Sequence, residues 1–228
     1  MESGEELPFF IDTGASGSCF DKKLEPQLGK RLGHFTIRTL DDGQQESFAH
    51  AEPKLYSGDT LLMTGSNIGT YDFKRLSVRA GRPIMGVLGM DCLGHYCIQL
   101  DFGARKMKFL EPGQIDTATL GKSYPLLLKG HRPFIRQVGL TGGSETNLLI
   151  DTGCVSDGYV EKTTVDGNGS GLVKVPECIW DGNTYTNLLV GRGDHIIGLK
   201  FLARHLVTLD FPSQTMYLKP IEALPPGK

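Results

Sequence analysis

No apolar stretch in these 228 residues reaches the roughly 18 that a membrane-spanning helix needs, so no span is expected. A basic track is missing as well. The formal charge is −2 and no Lys/Arg run is long enough to follow a phosphate backbone, which excludes nucleic acid as a partner. The first residues, Met1-Glu2-Ser3-Gly4-Glu5-Glu6, are acidic where a secretory n-region is basic. No signal peptide is visible; the location is left open, with a cytoplasmic one expected of the chain as read and a periplasmic or secreted one if residues precede it. Cysteine is scarce: Cys19, Cys92, Cys97, Cys154 and Cys178 are odd in number and irregular in spacing. That excludes a disulfide framework and leaves reduced, mostly buried thiols as the expectation. Cys92, His95 and Cys97 lack a second ligand pair, so neither a metal nor a cofactor is expected. Long helices are lacking too, since 30 Gly and 12 Pro favour turns and short strands.

What is present is one phrase written twice. Phe9-Phe10-Ile11 runs into Asp12-Thr13-Gly14-Ala15-Ser16, and Leu148-Leu149-Ile150 runs into Asp151-Thr152-Gly153-Cys154. An apolar run that stops at Asp-Thr-Gly reads as a buried strand ending in a tight turn, with the Asp left at the mouth of the loop. One such corner is only a turn. Two of them raise the prospect of paired carboxylates related by a pseudo-two-fold axis.

A second pair of segments repeats at a constant offset. Val87-Leu88-Gly89-Met90 matches Ile196-Ile197-Gly198-Leu199, and Leu100-Asp101-Phe102 matches Leu209-Asp210-Phe211, each 109 residues apart (198 − 89 and 210 − 101). The pattern implies a tandem duplication. Each half is expected to run from a strand into Asp-Thr-Gly, through short strands, to an apolar-apolar-Gly element. A short helix, about 90–95 or 199–205, and a closing hairpin follow. The domain expectation is a first lobe over 1–112, a linker over 113–123 and a second lobe over 124–228. The first half carries 30 extra residues within 32–82, since 89 − 12 exceeds 198 − 151 by that number. An insert of that length suits a flap over a cleft. Tyr56 and the 65–69 stretch lie within it. The second half has strands expected at 124–128 and 134–140 before its Asp, and the first half has no room for their counterparts. The first lobe is therefore expected to be abbreviated, with any upstream targeting segment out of view.

These motifs resemble the aspartic proteases, in particular the retropepsin-like branch. The resemblance rests on Asp12-Thr13-Gly14-Ala15-Ser16, on Asp151-Thr152-Gly153 and on the apolar-apolar-Gly elements ending at Gly89 and Gly198. Leu88-Gly89-Met90-Asp91-Cys92-Leu93 and Leu100-Asp101-Phe102 are similar to bacterial members. Viral retropepsins build the site from two identical chains; this sequence resembles the fused form. The resemblance implies an all-β bilobal fold with pseudo-two-fold symmetry, a short helix after each apolar-apolar-Gly element, and a flap over a peptide cleft. It also implies catalytic roles for Asp12 and Asp151. Thr13 and Thr152 would hydrogen-bond across the axis, and Gly14, Ala15, Gly153 and Cys154 would shape the loops. The implied partner is a peptide or protein substrate, with apolar side chains near the cut, acted on by a monomer.

The chemistry follows from the residue types. Two carboxyl groups a few Å apart in a desolvated cleft share one proton. The ionised one then activates a water while the protonated one polarises the scissile carbonyl. Pepsin-like members carry a hydroxyl donor three residues after each Asp, where this chain has Ala15 and Cys154. Losing a donor raises a carboxylate's pKa, so activity is expected at mildly acidic pH rather than near pH 2. Several other patterns are weaker. Asp101 and Asp210 precede hairpin turns and read as structural. His95 and His205 fall in the expected short helices, as capping or surface groups. The 166–171 stretch reads as a turn, and its Asn168 sequon has no meaning without a secretory route. A peptide-binding module without turnover is the principal rival reading.

Overall fold

The computed structural model describes residues 4–38, 44–51, 53–65, 67–111, 115–161 and 171–221. The 166–170 stretch with its sequon, residues 39–43, 52 and 66 of the insert, residues 113 and 114 of the expected linker and the 224–228 tail lie outside them. Strands hold 53% of the described residues and helices 12%, so the fold is all-β. The chain forms two compact units, Met1–His95 and Tyr96–Lys228.

The first unit contains β1 (Phe9–Ile11), β2 (Cys19–Asp21), β3 (Arg31–Arg38), β4 (Gln44–Ala51), β5 (Leu55–Ser57), β6 (Thr60–Leu62), β7 (Asn67–Tyr71), α1 (Lys74–Ala80), β8 (Gly86–Leu88) and α2 (Met90–Leu93). Six strands form one sheet in the order β1-β8-β2-β7-β4-β3, and β5 and β6 pair separately. β8 is parallel to β1 and antiparallel to β2, so it lies between two strands that precede it by some 70 residues. All three residues of β8 are buried, as expected of a short apolar strand with neighbours on both sides. Phe20, Leu24 and Ile68 form part of the core, and Phe73, Ile84 and Val87 form a cluster against Phe10, Cys19 and Tyr71.

The second unit contains β9 (Cys97–Asp101), β10 (Lys106–Leu110), β11 (Lys122–Pro125), β12 (Leu127–Lys129), β13 (Arg132–Gly139), β14 (Gly142–Asp151), β15 (Gly158–Val160), β16 (Val173–Trp180), β17 (Asn183–Arg192), β18 (Ile196–Gly198), α3 (Leu199–Leu202), β19 (His205–Asp210) and β20 (Thr215–Pro220). Its larger sheet has the order β12-β13-β14-β18-β15-β17-β16, and β18 is again parallel to one neighbour, β14, and antiparallel to the other, β15. The Asp181-Gly182 turn joins β16 to β17 with φ of 53° and 78°, the left-handed pair that a two-residue hairpin turn requires. Trp180, Leu188, Val190, Ile197 and Phe201 are buried beneath this sheet.

The pseudo-two-fold symmetry is clearest in the five-stranded sheet, of order β10-β9-β19-β20-β11. β9 and β19 are antiparallel, with Ile98 opposite Leu209, Gln99 opposite Thr208 and Leu100 opposite Val207. Because 99 and 208 are themselves 109 apart, this register maps onto itself when the halves are exchanged. The Gln99 side-chain amide donates to Thr208 Oγ1 at 3.1 Å on that axis. The hairpin turns match too: Arg105 and Gln214, again 109 apart, have φ of 54° and 51°.

Two details differ from the sequence expectations. Each helix after the apolar-apolar-Gly element is a single turn, so His95 lies beyond α2 and His205 opens β19, where it is buried. The long insert of the first half is not one loop. It supplies β3, the β5–β6 hairpin and α1, none of which has a counterpart among the described residues between Asp151 and Gly198.

Candidate active site

The two Asp-Thr-Gly corners have the same geometry, each complete within its own unit. Asp12 follows β1, and its backbone N–H donates to the Leu88 carbonyl at 3.0 Å. Its Oδ1 accepts the N–H of Gly14 at 2.8 Å and of Ala15 at 3.0 Å. In the second unit, Asp151 Oδ1 accepts the N–H of Gly153 at 2.8 Å and of Cys154 at 3.1 Å. Thr13 and Thr152 are buried at the centres of their corners.

Each corner is clamped by the apolar-apolar-Gly element behind it. The Ala15 carbonyl accepts from Met90 N at 2.9 Å, and the Cys154 carbonyl accepts from Leu199 N at 2.7 Å. Here glycine is required by space. A Cβ on Gly89 would lie 2.5 Å from the Gly17 carbonyl oxygen, and one on Gly198 would lie 2.5 Å from that of Ser156. Sulfur cannot supply the strong donor that a hydroxyl would, and the Cys154 thiol lies 3.3 Å from Ser156 Oγ.

Behind the corners the halves diverge chemically. Ser18 donates its hydroxyl to Asp91 Oδ1 at 2.6 Å, its N–H donates to Asp91 Oδ2 at 2.9 Å, and its oxygen accepts from Gly89 N at 3.0 Å. The residue 139 positions on, the interval between the two corner acids, is Asp157. It is buried and accepts Leu189 N at 2.7 Å and the Arg204 guanidinium at 3.2 Å. Sequence reading missed these braces. Aligning the halves on Asp12 and Asp151 exposes them, because Ser18 and Asp157 then fall together as polar residues just ahead of strands.

Neither protein-family models nor curated proteins match the sequence. Solved structures do match the fold. An aspartic proteinase from Irpex lacteus superposes with a TM-score of 0.58 at 13% identity, covering 94% of this chain and 90% of that one. Basic 7S globulin from soybean gives 0.54 at 10% identity, covering 94% and 88%. The chain has the pepsin-like fold of the aspartic proteinases. Other reactive groups are quiet. Burial, then the Asp21 charge, pushes the Cys19 thiol up to about 12, and burial followed by Asp210 does the same at Cys97. All five cysteines are free thiols. Among the described residues no cluster of three or more His, Cys, Asp or Glu could hold a metal ion, and no helix is long and apolar enough to cross a membrane.

Proposed function

We propose that the chain is an aspartic endopeptidase of the single-chain retropepsin-like type, with Asp12 and Asp151 as its catalytic acids. The observation that carries this reading is the repeated corner. Each Asp receives the same two backbone bonds, from the residues two and three places on, at distances that agree within 0.1 Å. A lone turn Asp has no reason to be reproduced in this way with its clamping glycine. In the proposed reaction the two carboxyls hold one proton between them. The ionised one removes a proton from water as that water attacks the peptide carbonyl. The other donates to the carbonyl oxygen, giving a gem-diol; the acid that took water's proton then protonates the nitrogen as the C–N bond breaks, and the other carboxylate takes a proton back from a gem-diol hydroxyl. No covalent intermediate is needed. Thr13, Gly14, Ala15, Thr152, Gly153 and Cys154 position the acids, and an extended peptide is the substrate.

The rival is a peptide-binding module that keeps the fold without turnover. It is favoured by the pair of structural neighbours, one named as a proteinase and the other as a globulin. Digestion of a denatured protein across pH 3–7, with and without pepstatin, separates the two. The catalytic reading expects pepstatin-sensitive cleavage by the wild type and a loss of at least about a hundredfold in both Asp12→Asn and Asp151→Asn. Cleavage that survives both substitutions refutes the assignment. Pepstatin binding with no cleavage at any pH selects the rival.

A further inference from the structure

α1 lies in the insert of the first half and carries a charge pattern that helix stability does not explain. Residues 73–82 hold Lys74, Arg75, Arg79 and Arg82 and no acid, although the chain has 26 acids against 24 Lys and Arg. Lys74 and Arg75 open the helix, at the end where the macrodipole favours acids, and its first turn has none. Arg75 and Arg79 are four apart, a spacing at which like charges repel across one turn. The helix is held from its other side. Leu76 packs against Phe73, Ile84 and Val87, Ser77 Oγ accepts from Ile84 N at 2.9 Å, and Phe73 N donates to the buried Asp21 carboxylate at 3.0 Å. The C-terminal end is fixed as well. With Gly81 at φ 65°, its N–H donates to the Val78 carbonyl and the Arg82 N–H to the Ser77 carbonyl, both at 3.2 Å. In such a cap the residue after the glycine is frequently apolar and folds onto the last turn. Here it is Arg82, and it is exposed.

We propose that the outward face of α1, together with Arg82, is a docking surface for an acidic segment of another protein. Successive helical residues are about 100° apart, so Lys74, Val78, Arg75 and Arg79 share an arc of about 140° that faces away from Leu76 and Ser77. All four are exposed. Val78, at 75%, is the most exposed large apolar side chain among the described residues, and it sits among the cations. The surface fits a segment whose Asp and Glu meet Lys74, Arg79 and Arg82 while one apolar side chain covers Val78. Because the backbone at Val78 and Arg82 is tied by the cap, little ordering cost falls on the helix when the segment binds.

Asp72, the nearest acid in sequence, accepts the Lys74 backbone N–H at 2.9 Å, ahead of the face rather than on it. Other anionic partners fit less well. Nucleic acid needs a longer basic track than residues 74–82 supply, on a chain of net charge −2. An anionic bilayer holds a helix by an apolar face sunk at the headgroup boundary, and Leu76 on the apolar side of α1 is packed into the core. Docking here involves neither Asp12 nor Asp151, so it holds or fails independently of catalysis.

The test uses the full chain, labelled with nitrogen-15, at neutral pH with the synthetic peptide Asp-Glu-Asp-Leu-Glu-Asp-Glu. Amide shifts are expected to concentrate at residues 74–82, and the dissociation constant to rise about tenfold between about 50 and about 300 mM salt. Lys74→Gln, Arg79→Gln and Arg82→Gln together are expected to weaken binding by about tenfold or more, and Val78→Ser by about two- to fivefold. These side chains are exposed, so the variants keep the fold, which unchanged spectra away from α1 verify. The proposal is overturned if no shifts appear at 74–82, if the triple variant binds the peptide as tightly as the wild type, or if the uncharged peptide Asn-Gln-Asn-Leu-Gln-Asn-Gln binds equally. It is also overturned if phosphatidylserine vesicles bind more tightly than the peptide through the same residues, or if sedimentation shows the chain pairing with itself through this face.

Discussion

A single methyl group at Gly89 or Gly198 is enough to disturb a corner. Both glycines have ordinary extended backbones, with φ of −100° and −99°, so the conflict is purely one of space with a neighbouring carbonyl. Gly89→Ala and Gly198→Ala are each expected to lose about 1–3 kcal/mol, read from urea midpoints, and to reduce cleavage by more than the unfolded fraction explains. The brace behind the second corner makes a separate prediction. Arg204→Met leaves the buried Asp157 without its cation, whereas Asp157→Asn with Arg204→Met removes both charges. Because Arg204 is itself partly exposed, the single change is expected to cost only about 1–3 kcal/mol, and the double change less than the single. Equal losses in the two would show that the pair is not coupled.

Elements that recur at a constant interval behave as scaffolding where their polar groups bond only to their own turn. Asp101 Oδ1 accepts from Ala104 N at 2.8 Å, and Asp210 Oδ1 accepts from Ser213 N at 3.2 Å. Asp101→Ala and Asp210→Ala are expected to lower stability by about 0.5–1.5 kcal/mol each and to leave kcat per folded molecule unchanged. A hundredfold fall in kcat from either would move these acids into the catalytic set. The hairpins were legible in the sequence because local turn chemistry and strand alternation determine them. The insert of the first half was legible only as a length. Its division into β3, a separate hairpin and α1 depends on long-range pairing, with β4 antiparallel to β7 on one side and β3 on the other, which no local pattern encodes.

Across the whole molecule, acidity acts on stability through a buried histidine. His205 is buried, its Nδ1 3.2 Å from the Phe201 carbonyl and its Nε2 2.9 Å from the Tyr185 hydroxyl. Burial, with a contribution from Arg204, holds its imidazole below the ordinary 6.5. Between that lowered value and 6.5 the unfolded chain binds a proton that the folded chain does not. The stability this histidine contributes is therefore fully present above about pH 6.5 and is lost as pH falls through the window below it. Tm is expected to decline from pH 7 toward 5, and His205→Gln to flatten that slope whatever it does to the absolute value. If the two corners act together as the proposed function requires, with no side-chain hydroxyl at position 15 or 154, the rate optimum lies at mildly acidic pH. An optimum below about pH 3 would contradict that reading.

Local chemistry is what the sequence by itself determined. Apolar runs broken by Asp-Thr-Gly, glycines closing the apolar elements and two acids at hairpin turns each act through neighbours in the chain, so a linear reading recovers them and the all-β class they imply. The tertiary structure alone decided which strands meet. It put β8 between β1 and β2, paired β9 with β19 across a self-matching register, buried His205 at the head of a strand and set Asp157 against Arg204. Those outcomes depend on hydrogen bonds and burial between residues tens of positions apart. Such contacts form only once the sheets exist, and for that reason spacing alone does not announce them.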